Sequence, residues 1–529
     1  MLKPNRTRHY ERPFFYLCGM DNDNKVRVRF APSPTGGLHL GGVRTALFNY
    51  LFARKFNGEF VLRIEDTDQT RFVPGAEEYI VDCLQWLGIM PSESPLEPGE
   101  YGPYRQSERK ASYREYAEKL VSDGYAYYAF DTPEELDAAR EKTPNFTYNY
   151  DNRTAMRNSV SLPQEEVQTL LAVGTPHVIR LKVPFDETVS FHDMIRGQVS
   201  FETKLVDDKV LLKADNMPTY HLAVVVDDYR MKISHVFRGE EWLPSAPVHL
   251  LLWEYLGWKN EMPEWAHLPL ILKPDGHGKL SKRDGERLGF PVFAMNWTDP
   301  ASGDTIKGFR ELGFLPEAFI NMLALLGWND GTEQEIFSLD ELVEKFSVDR
   351  INNSGAKFDF EKAKWFNQEW LRKAETTDLK PHIVALLAQK GIRQPDDHYL
   401  ETVIDLVKER LTLIPDFWEQ ASFFFEKPVK YDFSPVLPKW SEEKTLFFTD
   451  MIDRLQGFEP WRAEELESFY KLAIQASGLK MGELMLPLRI MLVGGKFGPH
   501  VFDIAAVLGK EESIARIKQG LSVLLNSGS

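Results

Sequence analysis

The sequence has very little cysteine and no long hydrophobic run. Its two cysteines, Cys18 and Cys83, form neither a CxxC pair nor a spacing typical of zinc ligands. A chain with so few thiols has no disulfide framework, which suits a reducing compartment, and we expect a cytoplasmic protein. No apolar stretch approaches the roughly 18 residues of a transmembrane helix, so we expect no membrane association.

Positive charge is also in deficit. Lys and Arg number 63 against 79 Asp and Glu, which gives a formal net charge of −16. This balance argues against a protein that binds nucleic acids indiscriminately. It does not exclude a single RNA ligand, because phosphate contacts depend on where Lys and Arg cluster.

The first twenty residues are basic but lack the continuous apolar segment of a secretory signal. We interpret residues 1–24 as a disordered arm, or as the product of a start codon placed too early, since Met20 stands directly before the polar stretch that leads into the first strand. Organellar targeting is the alternative that the basic composition leaves open.

A strand, a glycine-rich turn, a helix and a second strand follow one another near the start of the chain. Residues 26–30 alternate like a strand, a loop rich in Pro and Gly follows, residues 43–56 have helical spacing, and residues 60–64 form the next strand. This order predicts the first unit of a doubly wound parallel sheet. The turn then lies at the carboxyl end of its strand, where such sheets bind ligands.

A second strand-rich block at 210–273 predicts the other half of the same sheet. We expect strands in the segments VLLKA, YHLAVVVDD, HVFRGEEW and LPLILK, and a helix over 246–256. After residue 282, helical periodicity replaces alternation of β-branched residues, and 296–308 has the composition of a surface insertion. A length of 529 residues exceeds one core and indicates three to five domains.

The predicted fold is therefore α/β: a Rossmann-type parallel-sheet catalytic domain split by an inserted α/β domain, followed by all-helical C-terminal domains. We predict these boundaries: the arm at 1–24, the first half of the catalytic domain at 25–125, the inserted domain at 126–209, the second half with a cationic loop at 210–289, a first helical domain at 290–374, and further helical domains at 375–529.

The glycine turn can hold an anion. Glycine has no Cβ to block an approach, so the backbone N–H groups and the helix N-terminus behind Gly41 and Gly42 can face a phosphate. His39 can then donate to the α-phosphate of ATP, where negative charge builds during attack. Taken alone, a turn of this composition is more often only a tight turn with a polar histidine on the surface.

A cationic loop at 279–283, with the sequence KLSKR, can hold the other end of the triphosphate. Lys282 would neutralise the leaving pyrophosphate, and Lys279 is a secondary candidate. The glycines at 276, 278 and 285 make the loop mobile. Taken alone, such a loop is more often a solvated charge cluster.

Two arginines in strand-like segments indicate an acidic substrate. Arg29 and Arg238 end on the same edge of the predicted sheet, and a strand arginine that points into a cleft suits forked binding of a carboxylate. Glu65 can pair with an α-ammonium group. The alternative for each is a surface ion pair or a residue at the edge of the core.

These motifs resemble those of a known family. RFAPSPTGGLHLGGVRTALFNYLFAR, followed by FVLRIEDTDQTR, resembles the opening of bacterial-type glutamyl-tRNA synthetases, with Gly42 where the last His of an HxGH signature would stand. KLSKR resembles the KMSKS loop of class I synthetases, with Leu280 for Met and Arg283 for the final Ser. The resemblance implies ATP-dependent activation of L-glutamate to glutamyl-adenylate, and its transfer to the 3′-terminal adenosine of tRNA(Glu). A non-discriminating form that also charges tRNA(Gln) is the alternative.

The resemblance also implies roles for individual residues. The implied catalytic residues are His39 and Lys282; the implied glutamate contacts are Arg29, Ser33, Glu65, Tyr220 and Arg238; the implied ATP contacts are His39, Gly41, Gly42, Glu241, Leu272, Lys279 and Lys282. Val224 stands where some relatives have Asn, so that contact is not carried over. Arg410 resembles an anticodon-reading arginine, and its alternative is a helix-surface arginine paired with Glu409 or Asp405.

The implied ligands are L-glutamate, tRNA(Glu), and ATP with Mg²⁺ as a substrate. No zinc and no other metal ligand set is expected, because the inserted domain has no cysteines. We expect a monomer. A glutaminyl-tRNA synthetase would end in β-barrels, and a truncated tRNA-modifying paralogue would lack the helical half. A non-catalytic tRNA-binding protein would have lost His39, Lys282 or the arginines.

Overall fold

The computed structural model describes residues 6–10, 25–144, 146–281 and 284–527, in two compact units. The first unit contains the chain up to Glu311 together with Phe319–Phe360. The second contains Leu312–Ala318 and the chain from Glu361 onwards. Lys282, a predicted catalytic residue, lies outside the described residues.

Among the described residues, strands occur only in the first unit. They are β1 Arg6–Tyr10, β2 Arg27–Phe30, β3 Glu59–Leu62, β4 Ala126–Ala129, β5 Val178–Leu181, β6 Glu187–Asp193, β7 Gly197–Glu202, β8 Val210–Leu212, β9 His235–Gly239, β10 Glu264–Leu268, β11 Ile271–Leu272, β12 Trp297–Thr298, β13 Thr305–Ile306 and β14 Ala356–Lys357.

Helices occur throughout the chain. Those up to residue 345 are α1 Leu40–Lys55, α2 Ala76–Trp86, α3 Lys110–Ser122, α4 Pro133–Lys142, α5 Gln164–Ala172, α6 Tyr220–Arg230, α7 Ala246–Tyr255, α8 Asp284–Leu288, α9 Phe309–Leu312, α10 Pro316–Leu325 and α11 Leu339–Lys345. Those beyond are α12 Phe360–Lys373, α13 Thr376–Gln389, α14 Asp397–Val407, α15 Asp416–Ala421, α16 Glu442–Gln456, α17 Ala463–Ser477, α18 Met481–Val493, α19 Val501–Leu508 and α20 Lys510–Ser527.

A parallel sheet organises the first unit, as predicted. β1, β6, β10 and β9 pair in parallel, and β7 adds an antiparallel partner to β6. β2 pairs in parallel with β3 and lies beside β9, where the Ser234 N–H donates to the Arg27 carbonyl at 2.9 Å. The two halves of the sheet thus meet at β2 and β9. Their carboxyl ends carry Arg29 and Arg238 to the same edge.

The β2–α1–β3 unit forms because its apolar residues match two periods. β2 is buried along its whole length, and α1 buries Leu47 and Leu51 completely. A helix that joins two parallel strands must cross one face of the sheet, so an apolar stripe at helical spacing packs against the strands. This confirms the order of strand, glycine turn, helix and strand.

One segment of the second half was predicted wrongly. YHLAVVVDD was expected to be a strand, but it forms helix α6. Val224, Val225 and Val226 are all buried there, so the run of β-branched residues reflects burial on every side and not a strand. The helix from 246, in contrast, is confirmed as α7.

The sheets do not follow the boundary predicted between 209 and 210. β8 pairs with β5, which pairs with β4, in a separate antiparallel sheet. β6 and β7, from within 126–209, belong to the large parallel sheet. Alternation in single strands gives no information on which sheet a strand joins, so sequence could not place this boundary.

The predicted disordered arm is wrong for Arg6–Tyr10. These residues form β1, in register with Glu187–Phe191 of β6. Tyr10 is 2% exposed, and Arg8 forms ion pairs with Glu187 and Glu254. Backbone pairing and burial together order this short segment. The rest of the predicted arm lies outside the described residues.

The second unit is helical in its described residues, which agrees with the helical domains predicted at 375–529. The domain at 290–374 is not all-helical as predicted, because it contains the two-residue strands β12, β13 and β14. The core of the second unit gathers side chains from α12 to α20, among them Val403, Phe417, Phe448 and Leu492. In the part of the chain that the structure describes, no helix has the length and apolar character needed to span a membrane.

Candidate active site

An open cavity of about 340 Å³ lies where β2 and β9 end. Most of the residues predicted from sequence line it: Arg29, Ser33, His39, Gly41, Gly42, Glu65, Tyr220, Arg238, Glu241 and Lys279. Leu272 lies in β11 next to the lining residue Ile271, and it pairs with Lys279 in an isolated bridge. Arg410 is exposed, in the second unit.

His39 is the N-cap residue of α1. Its Nδ1 accepts a hydrogen bond from the Gly41 N–H at 3.0 Å. An Nδ1 that accepts carries no hydrogen, so the neutral ring has its hydrogen on Nε2. The capping bond therefore sets the tautomer that makes Nε2 a donor.

Gly41 and Gly42 both lie close to neighbouring side chains. A Cβ on Gly41 would lie 2.9 Å from His39 Cε1, and one on Gly42 would lie 2.6 Å from Leu38 Cδ1. Larger residues would displace the His39 ring or the Leu38 side chain. The positive end of the α1 dipole therefore lies at the cavity, while the N–H groups of Leu40 and Gly41 are bound to Val292 and His39.

The cationic loop begins as a hairpin on the cavity wall. Gly276 and Gly278 have φ of 79° and 78°, a conformation that favours glycine. Beyond the turn, Lys279 Nζ lies 2.6 Å from Glu241 Oε1. Burial alone would raise the pKa of Glu241, but the hydrogen bond and charge of Lys279 hold it below its ordinary value. Two residues predicted to contact ATP thus bind each other.

Arg29 and Arg63 share a buried carboxylate. Arg29 donates to both oxygens of Asp228 at 3.1 and 3.4 Å, and Arg63 Nη1 donates to Asp228 Oδ1 at 2.8 Å. Arg63 Nη2 also contacts Glu65 at 3.3 Å. Burial raises the pKa of Glu65 above its ordinary value, although both arginines oppose the shift. Arg29 therefore reaches the cavity with much of its charge already compensated.

Arg238 is held in a different way. Its Nε donates to His267 Nε2 at 2.9 Å, and its Nη1 lies 3.3 Å from the Tyr220 hydroxyl and 3.2 Å from His249 Nδ1. The guanidinium stacks 5.0 Å from the Trp265 ring centroid. Its Nη2 is buried and has no hydrogen-bond partner among the described residues. A fixed positive charge with one uncommitted donor is a ready site for a carboxylate.

Sequence reasoning missed several residues of this site. Trp242 lines the cavity with its ring 4.5 Å from that of Tyr220, and it follows directly after the predicted Glu241. His249 and His267 carry no local signal, because each is a single polar residue in an otherwise apolar segment. Asp228 is one of two adjacent aspartates, and nothing in the local sequence distinguishes it from Asp227. In the described ranges, no group of three or more His, Cys, Asp or Glu side chains could hold a metal ion.

Comparison with known proteins gives two matches to family models. The model described as tRNA synthetases class I (E and Q), catalytic domain, matches residues 25–365. The model described as an anticodon binding domain matches residues 369–521. Together the two matches leave out β1.

Among curated relatives, the glutamate–tRNA ligase of Phocaeicola vulgatus is 52% identical over 504 residues, which cover 95% of this chain and 100% of that protein. The glutamate–tRNA ligase of Bacteroides fragilis is 51% identical, over 95% of this chain and 99% of that protein. Among solved structures, a glutamate tRNA ligase from Elizabethkingia meningosepticum, in complex with its amino acid, superposes with a TM-score of 0.91 at 49% identity, over 94% of this chain and 100% of that chain.

Proposed function

This chain belongs to the glutamate–tRNA ligases, a family of class I aminoacyl-tRNA synthetases, and we propose that its cavity holds glutamate beside Arg238 and the ATP phosphates beside His39. The enzyme attaches glutamate to tRNA at the expense of ATP. The observation that carries the placement is the Arg238 guanidinium, fixed on three sides with Nη2 uncommitted.

The reaction needs no side-chain nucleophile. An oxygen of the glutamate α-carboxylate, ionised at neutral pH, attacks the α-phosphorus of ATP, and the bond to the bridging oxygen of pyrophosphate breaks. A ribose hydroxyl of the terminal adenosine of tRNA then attacks the carbonyl carbon of the adenylate and releases AMP. The protein contributes position and electrostatic stabilisation.

The phosphate side uses the glycine turn and the cationic loop. The Nε2–H of His39 and the N-terminus of α1 at Gly41 and Gly42 face the α-phosphate, where negative charge builds. Lys279 exchanges Glu241 for a phosphate oxygen when ATP enters. Lys282 neutralises the departing pyrophosphate. Leu272 and Glu241 complete the nucleotide contacts.

The glutamate side uses the two arginines unequally. The α-carboxylate must keep an oxygen free for attack, so the fixed guanidinium of Arg238 suits the side-chain carboxylate. Arg29, compensated by Asp228, and Ser33 supply further donors. Tyr220 closes this end of the cavity, and Glu65 pairs with the α-ammonium group.

Mg²⁺ enters with ATP and is held mainly by the phosphates, as is usual for this ion. No residue of the chain is assigned to it.

Replacement of Arg238 by Gln tests this placement. Hydrogen bonds to charged groups contribute about 1.5–3 kcal/mol, so the glutamate KM should rise roughly tenfold to a hundred-and-fiftyfold. The ATP KM should stay unchanged in aminoacylation assays that vary each substrate. Arg114→Gln, at an exposed ion pair with Glu118, is the matched control. An unchanged glutamate KM, or an equal rise in the glutamate KM and the ATP KM, would show that Arg238 does not bind glutamate.

For the tRNA, we propose that the inserted domain at 126–209 binds the acceptor end, 290–374 contacts the stem and 375–529 reads the anticodon through Arg410. The match of 369–521 to an anticodon binding domain supports the last role. Arg410 also lies close enough to Arg489 to contribute, after burial, to the lowered pKa of that guanidinium. Such a concentration of positive charge suits an RNA ligand.

We further propose a cytoplasmic monomer that is specific for tRNA(Glu). Glutamylation of purified tRNA(Glu) and tRNA(Gln), measured side by side, tests the specificity. Equal rates would favour the non-discriminating form.

A further inference from the structure

We propose that Asp193 and His267 are positioning residues for glutamate binding: they hold Arg238 in place through an imidazole and so leave its positive charge available to the substrate. We call these two residues the Asp193–His267 pair. The inference rests on the proposed role of Arg238 in binding the glutamate carboxylate. It assigns neither residue a contact with substrate.

Asp193 is anchored independently of Arg238. It ends β6, and its Oδ1 accepts the backbone N–H groups of Ile195 and Arg196 at 3.0 Å each. Its Oδ2 lies 2.5 Å from His267 Nδ1, and both side chains are 0% exposed. The carboxylate is therefore fixed by backbone donors before it meets the imidazole.

The hydrogen bonds are donated in one direction, from Arg238 at the cavity through His267 to Asp193. His267 Nδ1–H donates to Asp193, so Nε2 carries the lone pair that accepts Arg238 Nε–H at 2.9 Å. A doubly protonated ring would set an N–H against the guanidinium. Burial keeps the ring neutral, because it lowers the pKa of His267 to about 4. Asp193 thus selects the single tautomer that can receive Arg238.

A second imidazole completes the same arrangement on the other side. Arg238 Nη1 lies 3.2 Å from His249 Nδ1, and His249 Nε2 lies 3.3 Å from His221 Nδ1. If Nη1 donates to Nδ1, the His249 hydrogen is on Nε2 and points at His221. Burial first, and then the charge of Arg238, hold the pKa of His249 well below its ordinary value.

The hydrogen-bond partners of Arg238 in the described part of the chain are thus two neutral imidazoles and a phenol. Arg29, on the neighbouring strand, binds a carboxylate directly. A carboxylate on Arg238 would compete with the substrate and cancel the charge that attracts it. An imidazole between Asp193 and Arg238 fixes the orientation of the guanidinium, and no carboxylate of the described residues contacts it directly. This favours a carboxylate ligand over a neutral amide.

The first test is Asp193→Asn. An amide nitrogen at the Oδ2 position donates to His267 Nδ1 and forces the other tautomer, whose Nε2–H cannot accept Arg238 Nε–H. The glutamate KM should rise roughly tenfold to a hundredfold, the range expected when a buried charged donor loses its acceptor. The ATP KM should not change. His267→Leu should have a similar effect, and His267→Gln, whose amide oxygen can accept from Arg238, a smaller one.

A double variant separates positioning from a general loss of packing. If Asp193 acts through His267, adding Asp193→Asn to His267→Leu should raise the glutamate KM little further. Effects that multiply would overturn the proposal. Asp208→Asn is the matched control, because Asp208 is also buried and bound to Arg153 and Tyr127, but in the separate β4–β5–β8 sheet region. It should lower the thermal midpoint without changing the ratio of the two KM values.

The wild-type enzyme gives a readout that needs no variant. Long-range ¹⁵N–¹H correlation spectra of the histidine rings should show His267 with hydrogen on Nδ1 and none on Nε2 at neutral pH. Hydrogen on Nε2 would overturn the proposal even if the variants fail to fold. If Arg238→Gln leaves the glutamate KM unchanged, the proposed carboxylate site is wrong. If Arg238→Gln raises it and neither Asp193→Asn nor His267→Leu does, only the Asp193–His267 pair is wrong.

Discussion

His39 carries two roles that two substitutions can separate. Its Nδ1 caps α1 by accepting the Gly41 N–H at 3.0 Å, which leaves Nε2–H as the donor proposed for the α-phosphate. Asparagine is among the best N-cap residues but ends short of the Nε2 position. His39→Asn should therefore keep the helix cap and lose the catalytic donor, whereas His39→Ala loses both.

The magnitudes of the two losses differ. Removal of one donor to a developing negative charge lowers kcat roughly 10²- to 10³-fold. Loss of an N-cap costs about 1 kcal/mol, which corresponds to about 1–2 degrees in the thermal midpoint of a unit of this size. We expect His39→Asn to have a kcat in this lowered range with a midpoint near that of the wild type. His39→Ala should combine the same kcat with a lower midpoint.

The assay is adenylate formation at saturating glutamate and ATP, with thermal unfolding of the same samples. Ser338→Ala is the matched control: Ser338 caps α11 through a capping box with Glu341 in the same unit, and its loss should lower the midpoint without changing kcat. The reasoning is refuted if His39→Asn retains the wild-type rate, or if the rates of both His39 variants follow their stability alone.

Three further predictions concern stability. Asp228→Asn should lower the free energy of unfolding by about 3–5 kcal/mol, because it leaves two buried arginines without their shared carboxylate. Glu202→Gln, at an exposed ion pair with Lys204, is the control, and equal thermal midpoints for the two variants would contradict the prediction. Tyr10→Ala should lower the free energy of unfolding by about 3 kcal/mol if β1 is part of the sheet. A thermal midpoint equal to that of the wild type, either in this variant or after deletion of residues 1–24, would argue against that strand. Burial lowers the pKa of His221 to about 4, so as the pH falls the imidazole is protonated in the unfolded chain before it is protonated in the folded one. Wild-type stability therefore falls as the pH drops from about 6.5, by up to about 1.4 kcal/mol per pH unit for this group. The thermal midpoint of His221→Gln should therefore fall less than that of the wild type between pH 6.5 and 4.5. A difference between the two midpoints that stays constant with pH would contradict the lowered pKa of His221. The raised pKa of Glu65 is common to both proteins and cancels in the comparison.

The sequence allowed the site to be predicted where residue identity and strand order suffice. Arg29 and Arg238 reach one cavity because each lies near the carboxyl end of a parallel strand, and His39 joins them because it begins the helix that follows the first of these strands. The helix that begins at the glycine turn and the helical C-terminal half followed from apolar spacing alone. These features depend on local pattern, and the pattern was clear.

The rest depends on contacts between distant segments. Asp228 pairs with Arg29 across 199 positions of sequence, and Asp193 meets His267 across 74. No local sequence pattern predicts such pairs. The three valines at 224–226 are buried in a helix because tertiary packing overrode their preference for strands. β1 became part of the sheet through pairing with a strand that begins 177 positions after Tyr10.

The most direct test of the account is a crystal structure of the enzyme with a non-hydrolysable glutamyl-adenylate analogue that keeps the side-chain carboxylate and the α-phosphate. We predict that the carboxylate accepts a hydrogen bond from Arg238 Nη2 while a phosphate oxygen accepts one from His39 Nε2. A ligand whose carboxylate lies away from Arg238, or whose phosphate lies away from the turn at Gly41, would contradict the central claim.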